Sequence, residues 1–585
     1  MVLDSLTIQS TAPYEGFPYE WVTATAEFAV DPADSANACI VDLDRAPRGA
    51  DGRVRFDADV RLLRPATGGN GRALLVLPNR GMTLGLPFER QTALPFDPAA
   101  VPSPGDAFLL RRGWTIAWCG WQWDILRSTG ALGLTAPVAD VEPGWMRVEF
   151  RPDVDQAEHA LSDSGPLADF TDYPTADVHD PDATLTVRTT PMGPAQVVPR
   201  SAWRFTGPTS FAVDGGFRAF HWYQLVYRSA FAPVVGTGLL AVRDFGAHLR
   251  DEYEYVFASG VSQCGRALRQ LLFEGLNVDE AGARVFDGVF SQIASARRGE
   301  FNQRYGQPSL THPLTPAYGA PLDTTALLAR QRAIGGTPKI MFVNSSWEYW
   351  RGDAALIHQD PRTGADLPED PDARAHLISG TDHIGPAPEL KKLMPIANPV
   401  HGLDHTLVLR ALFTQLEQWV CDARDPEPSQ VPRQADGTAT TRNHVLDRIR
   451  TLFPNAALPA PEHLPWTPVI DPESTHWPLE LGDPLIALVS DIDDHGNETA
   501  GIRLPDLAAG TAAYTGWNPR VHIDGLPDVL YELLGSRLST TTAPDHTAIR
   551  AAAETLVEKR FLLPEDLDQA ITNATDRTPD PTRTL

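Results

Sequence analysis

Six short, almost uninterrupted apolar runs recur along the first two thirds of the chain: RALLVLPN, WTIAWCGW, YEYVFASG, FDGVFSQI, PKIMFVNSS and ARAHLISGT. A strand solvated on one face alternates apolar and polar residues, whereas these runs are apolar on both faces, as strands buried in a parallel sheet must be. Stretches of helical period lie between several of them, notably DAFLLRRG, PVVGTGLLAVRDFGAHLR and CGRALRQLLFEGL, and TLVLRALFTQLEQWV follows the last. Strand, helix and strand in alternation predict an α/β sheet covered by helices.

The flanking regions read differently. Residues 1–66 carry WVTATAEFAV, ACIVDLD and VRFDADVRLLRP, whose alternation and turn residues predict a β-rich N-terminal part. A catalytic α/β domain is expected over 67–425, interrupted at about 145–225 by a β-rich insertion with the strands WMRVEF, ATLTVRTT and FHWYQLVYR. A Pro-rich linker near 425–433 precedes a C-terminal extension or cap, 426–585, with strand expected around PLIALVSDIDD and helix over HTAIRAAAETLVEKRFLL.

With 42% hydrophobic residues, the 585-residue chain has ample material for a core. Its 49 Lys and Arg against 75 Asp and Glu give a net charge of −26, which argues against nucleic acid and anionic membrane surfaces as partners. The four cysteines, Cys39, Cys119, Cys264 and Cys421, form no CxxC pair, so neither a disulfide framework nor a zinc cluster is expected. DIDDHGNE at 491–498 starts like a calcium loop, but the position that needs glutamate is Ile502, so a hairpin turn is expected and no metal. GTGLL at 236 lacks a full nucleotide-binding fingerprint and is read as helix packing, so no cofactor is expected. MVLDSLTIQSTAPYEGF has no signal-peptide pattern and no apolar run is long enough to span a bilayer, which points to a cytoplasmic protein.

The chemistry centres on FASGVSQCGRA, residues 257–267. A strand runs into Gly260-Val261-Ser262-Gln263-Cys264-Gly265 and then a helix, the layout of a nucleophile elbow, except that Cys264 stands where G-x-S-x-G has its second glycine. Ser262 as a mere helix N-cap is the alternative. Partners for a nucleophile follow in the order an α/β-hydrolase uses: Glu348 just past PKIMFVN and His383 just past ARAHLIS. His383 would take the Ser262 proton, and Glu348 would fix the ring's tautomer and stabilise its charge. Asp287 and Asp353 are rival acids, and His358, His376, His401 and His405 spare histidines, all better explained structurally. The backbone N–H of Gln263 and that of Gly81 or Met82, in LPNRGMTLG, are the expected oxyanion donors. Trp121, Trp123, Trp347, Trp350 and Tyr305 gather near the same strand ends and suit the walls of an acyl pocket, though they suit core packing equally well.

Taken together, PNRG, GDAFLLRRGWTIAWCGWQ, PVVGTGLLAVRDF, GVSQCGR, FNQRYGQPS, NSSWEYWRGDAAL, GTDH, GNETAGIRLPD and YTGWN make the chain resemble a large, mostly bacterial α/β-hydrolase family of "alpha/beta hydrolase domain" proteins. Similar sequences read GxSQSGR and GTQH, so Cys264 and Asp382 depart from the pattern. The resemblance implies an esterase-like hydrolase without naming its substrate. The expected activity is cleavage of a small-molecule carboxylic ester or lactone through an acyl-enzyme. An acyltransferase or amidase using the same residues, and an inactive binding protein on the same fold, are the alternatives. Oligomeric state is not readable from the sequence.

Overall fold

In the computed structural model the described residues are 3–83, 85–90, 97–162, 170–310, 314, 319–470, 481–510, 512–538 and 545–576. The first strands are β1 (Leu3–Tyr14), β2 (Tyr19–Val30), β3 (Val54–Pro65), β4 (Arg72–Val76), β5 (Thr115–Cys119) and the short β6 (Leu134–Thr135). A four-residue helix, α1 (Phe108–Arg111), is all that DAFLLRRG forms, because the chain turns at Gly113 straight into β5. Seven strands then make the insertion: β7 (Gly144–Phe150), β8 (Gln156–Ala160), β9 (Thr184–Arg188), β10 (Gln196–Val198), β11 (Trp203–Gly207), β12 (Ser210–Phe217) and β13 (Trp222–Ser229). After it come α2 (Thr237–Glu252), β14 (Tyr255–Val261), α3 (Gln263–Phe273), β15 (Gly288–Gln292), α4 (Thr324–Ile334), β16 (Lys339–Ser345), α5 (Ser346–Arg351), β17 (Ala373–Ile378), α6 (Pro388–Lys391) and α7 (Thr406–Cys421).

One ten-stranded sheet takes the order β1-β2-β3-β5-β4-β14-β15-β16-β17, with β6 beside β3. From β5 to β17 neighbouring strands are parallel; β1, β2 and β3 continue the sheet as an antiparallel wing, so the β-rich N-terminal part is built onto the same sheet. The period of two explains the apolar runs. Val256 and Ala258 of β14 join one core cluster with α2 and α3, while Phe257 between them joins another with α7. Val289 and Phe290 of β15 divide the same way. Helices therefore cover both faces, as a parallel sheet requires.

The insertion folds as two small antiparallel sheets, β10-β9-β13-β7 and β11-β12-β8. Phe150, Phe211, Phe217 and Tyr223 pack edge-to-face or stacked between them.

The C-terminal region enters the same cores. Leu504, Leu507, Tyr514, Leu556 and Phe561 pack with α7, and Leu446, Ile449, Trp517 and Leu530 pack with Trp347 and Trp350. The strand expected around PLIALVSDIDD shrinks to Val489–Ser490, paired with Ala439–Thr440. Pro484 cannot donate to a ladder, and the Asp-rich end closes as a turn in which Asp493 N bonds Asn497 O at 2.8 Å. Among the described residues no helix is long and apolar enough to cross a membrane.

Candidate functional site

Ser262 lies at the C-terminal end of β14, with β4 on one side of that strand and β15 on the other. Its backbone has φ 58° and ψ −116°, a conformation L-residues rarely adopt. Packing enforces the turn: a Cβ on Gly260 would lie 2.5 Å from the carbonyl carbon and oxygen of Cys264, so only glycine lets helix α3 start this close to the strand. Cys264 fits because its side chain turns inward, fully buried, with Sγ 3.4 Å from Pro78 O. The helix-cap alternative fails on geometry, since the Ser262 side chain caps nothing. Its Oγ lies 2.9 Å from His383 Nε2.

His383 Nδ1 lies 2.5 Å from Glu348 Oε1. A carboxylate can only accept, so Nδ1 carries the proton and Nε2 is left to accept from the serine hydroxyl. Ser345-Ser346-Trp347-Glu348 is an S-x-x-E helix start, and Glu348 reaches back so that its Oε2 accepts from Ser345 N at 2.9 Å and Ser345 Oγ at 2.5 Å. That fixes one carboxylate oxygen and aims the other at the imidazole. Burial of Glu348 alone would raise its pKa. The His383 ring, Arg351 and the Ser345 hydroxyl outweigh it and hold the carboxyl below its ordinary value.

The rival groups other than His405 are occupied elsewhere; His405 is buried, its Nδ1 without a hydrogen-bond partner among the described residues, and burial holds it below the ordinary histidine value. Asp287 accepts from Arg250, Arg284 and Val256 N, and Asp353 is clamped by Arg351. His358 bonds the Tyr349 hydroxyl and His376 faces Gln430 N; burial pushes both down to about 3. His401 pairs with Thr515 O. Asp382 points away from its neighbour's ring. Its carboxylate takes Lys391 Nζ at 2.6 Å, Gly385 N and Gly535 N, each at 3.0 Å. Burial opposes its charge, but Lys391 and His401 keep it below the ordinary carboxylate range.

The loop after β4 is tied to the serine turn by Leu77 N to Ser259 O at 3.0 Å and Asn79 Nδ2 to Val261 O at 3.4 Å. Gln263 N stands at the first position of α3, where helix geometry provides no acceptor. Of the two expected loop donors, Met82 is set aside: its N–H is spent on Asn79 O at 3.1 Å, closing the turn. Gly81 N has no acceptor among the described residues.

The aromatic pocket also needs correction. Trp347 and Trp350 are buried against the C-terminal residues, Trp350 with its ring 5.2 Å from that of Trp517. Trp121 and Trp123 are buried and donate to Pro78 O and Gly306 O. The Tyr305 hydroxyl accepts from Gly144 N at the start of β7. All five hold loops together. Half-buried residues tied to the serine turn include instead Asn79, which bonds Val261 O, Arg266, whose N–H bonds Ser262 O, and His383. The expected turn at 491–498 has its acids paired, Asp491 with Arg448 and Asp493 with Arg503. Helix packing accounts for GTGLL: a Cβ on Gly238 would fall 1.9 Å from Trp121 O.

One contributor is absent from the reading of the sequence. Glu498, buried, accepts from Ser346 Oγ at 2.6 Å and from Gly380 N at 2.7 Å, joining the acid's turn to the histidine's. Burial pushes it up to about 7, against the pull of those two donors. Leu533 O accepts from His383 N at 3.2 Å.

A family model described as an alpha/beta hydrolase domain matches residues 239–572, more than half of the chain. That span includes Ser262, Glu348, His383, Glu498 and Leu533. Among solved structures, a glucuronoyl esterase from Solibacter usitatus is similar at 12% identity and TM-score 0.26, over 64% of this chain and 80% of its own. A CE15 glucuronoyl esterase from Teredinibacter turnerae T7901 gives 8%, 0.23, 60% and 64%, and the rice cell wall degrading esterase LipA from Xanthomonas oryzae 10%, 0.22, 60% and 84%. Those identities and scores are too low to carry any of their activities across. No curated protein matches the chain.

Proposed function

From the premise that this chain belongs to the alpha/beta hydrolase domain family, we propose that it is a serine hydrolase cleaving a small-molecule carboxylic ester or lactone through an acyl-enzyme. One observation carries the reading: a strained serine, a ring nitrogen 2.9 Å from its oxygen and a buried carboxylate 2.5 Å from the other ring nitrogen stand in line. In this mechanism Ser262 Oγ attacks the acyl carbon as its proton passes to His383 Nε2. The imidazolium so formed is stabilised by Glu348. The oxyanion is held by Gln263 N–H and Gly81 N–H, and one such donor contributes on the order of 3 kcal/mol in comparable sites. His383 returns the proton to the leaving alkoxide. It then deprotonates a water that attacks the acyl-enzyme, and collapse of the second tetrahedral adduct frees the acid and restores Ser262.

The test is covalent labelling by a fluorophosphonate probe, with hydrolysis of p-nitrophenyl acetate and butyrate, beside Ser262→Ala. Labelling and turnover in the parent, and loss of about 10⁴-fold or more in the variant, are expected. Labelling with turnover only on adding an alcohol or amine would replace hydrolysis with acyl transfer. An unlabelled, inactive parent would leave a binding protein on a hydrolase fold.

A further inference from the structure

Arg266 sits one turn beyond Ser262 on α3, its backbone N–H bonded to Ser262 O at 3.0 Å. Its guanidinium is half-buried and has no hydrogen-bond or ion-pair partner among the described residues. Its charged surroundings make that costly. Arg351 at the end of α5, with Arg297 and Arg80 from the loops after β15 and β4, all press on it, and Asp353 opposes them. Asp353 is already committed, with both oxygens 3.1 Å from Arg351 Nε. Glu348, near Arg351, has both oxygens spent on Ser345 and His383. Glu149, farther back, is taken by Arg147 and Arg188. Arg351 adds a second unmet demand, for its Nη1 is buried with no hydrogen-bond partner among the described residues.

Arginine cannot relieve such crowding by losing its proton. The strain shows as a guanidinium at Arg266 held well below its ordinary value by burial and by its three cationic neighbours. Arg297 is likewise pushed down to about 9 by burial and by Arg351. In a chain whose net charge is −26, this is a local excess of positive charge at the C-terminal edge of a parallel sheet, where such folds bind ligands. A planar guanidinium presents paired donors that match a carboxylate.

We propose that Arg266, backed by Arg351 and Arg297, binds a carboxylate of the substrate, so that the ester accepted at Ser262 also carries a free acid group. The inference rests on the hydrolase reading for its position in the reaction. The anion site itself can be measured without turnover.

The first measurement is calorimetric titration of the whole protein with adipate and with neutral 1,6-hexanediol. Adipate alone should bind, more weakly as salt is raised, and at least ~10-fold more weakly in Arg266→Gln, with partial recovery in Arg266→Lys. The second compares kcat/KM, per fluorophosphonate-titrated site, for mono-p-nitrophenyl adipate against p-nitrophenyl hexanoate, and for 4-acetoxybenzoate against phenyl acetate. A preference of ~10-fold or more for the acid in either pair, falling towards one in Arg266→Gln, is expected. Adipate binding without ester cleavage would sustain the anion site and remove the hydrolase reading. Ester cleavage with no adipate binding and no preference in either pair would overturn the anion site and leave the hydrolase reading intact.

Discussion

Residues 257–267 supply strand, turn and helix for Ser262, and the glycine that lets them meet lies two positions before the serine. The turn of His383 draws on remote chain instead: Gly380 N bonds Glu498, His383 N bonds Leu533 O, and Gly535 N bonds Asp382. Both turns end buried parallel strands of one sheet. The strand, glycine and helix that shape the first are its own sequence neighbours, with Leu77 and Asn79 tying it to the loop after β4; the second is held in place by residues more than a hundred positions away. A sequence motif can announce the first kind of construction and is silent about the second.

The largest blow should come from the link between the two turns. Glu348→Gln puts an amide beside Nδ1 and favours the tautomer with its proton on Nε2, so kcat should fall about 10³- to 10⁴-fold with little loss of Tm. Next is the local construction. Gly260→Val forces side-chain atoms into the Cys264 carbonyl, and urea unfolding should show a loss of about 3 kcal/mol or more, with Ser262 no longer labelled. The remote construction is probed at Asp382, whose carboxylate bonds Gly535 N. Asp382→Gln strands the buried Lys391 ammonium and should cost about 3 to 5 kcal/mol, while Asp382→Gln with Lys391→Met should regain most of it.

The smallest effect is a pH dependence at Glu498. Its carboxyl is raised from 4.5 to about 7 in the folded chain, so folding favours the protonated form. The stabilisation is complete below pH 4.5 and is lost as pH rises through 7, to an extent of about 3 kcal/mol. Glu498→Gln should therefore remove that slope from unfolding curves taken between pH 5 and 8. An unchanged slope would mean that the clamp on Ser346 and Gly380 works with a charged Glu498.

These differences explain what was legible in the sequence. Buried parallel strands declare themselves because both faces must be apolar, and the elbow does because strand, glycine, serine and helix are adjacent. Glu348 and His383 stand out as candidates because each follows its own strand at the same sheet edge. Glu498 could not, since GNETAG gives no sign that its glutamate reaches Gly380, 118 positions away. Trp347 and Trp350 were open to either reading because an aromatic next to an acid does not reveal which side of the turn it packs. Met82 lost its place to a carbonyl three residues earlier, a choice between adjacent N–H groups that composition does not encode. The arginine excess escaped notice because its members are scattered from residue 80 to residue 351.

The dependence of the His383 turn on Glu498, Leu533 and Gly535 has a consequence for biosynthesis. As the chain leaves the ribosome, the serine elbow can form once its neighbouring strands have emerged, but Gly380 N and His383 N meet their acceptors only after Glu498 and Leu533 have followed. A chain that has not yet reached Leu533 therefore carries the Ser262 elbow before the His383 turn beside it is fixed.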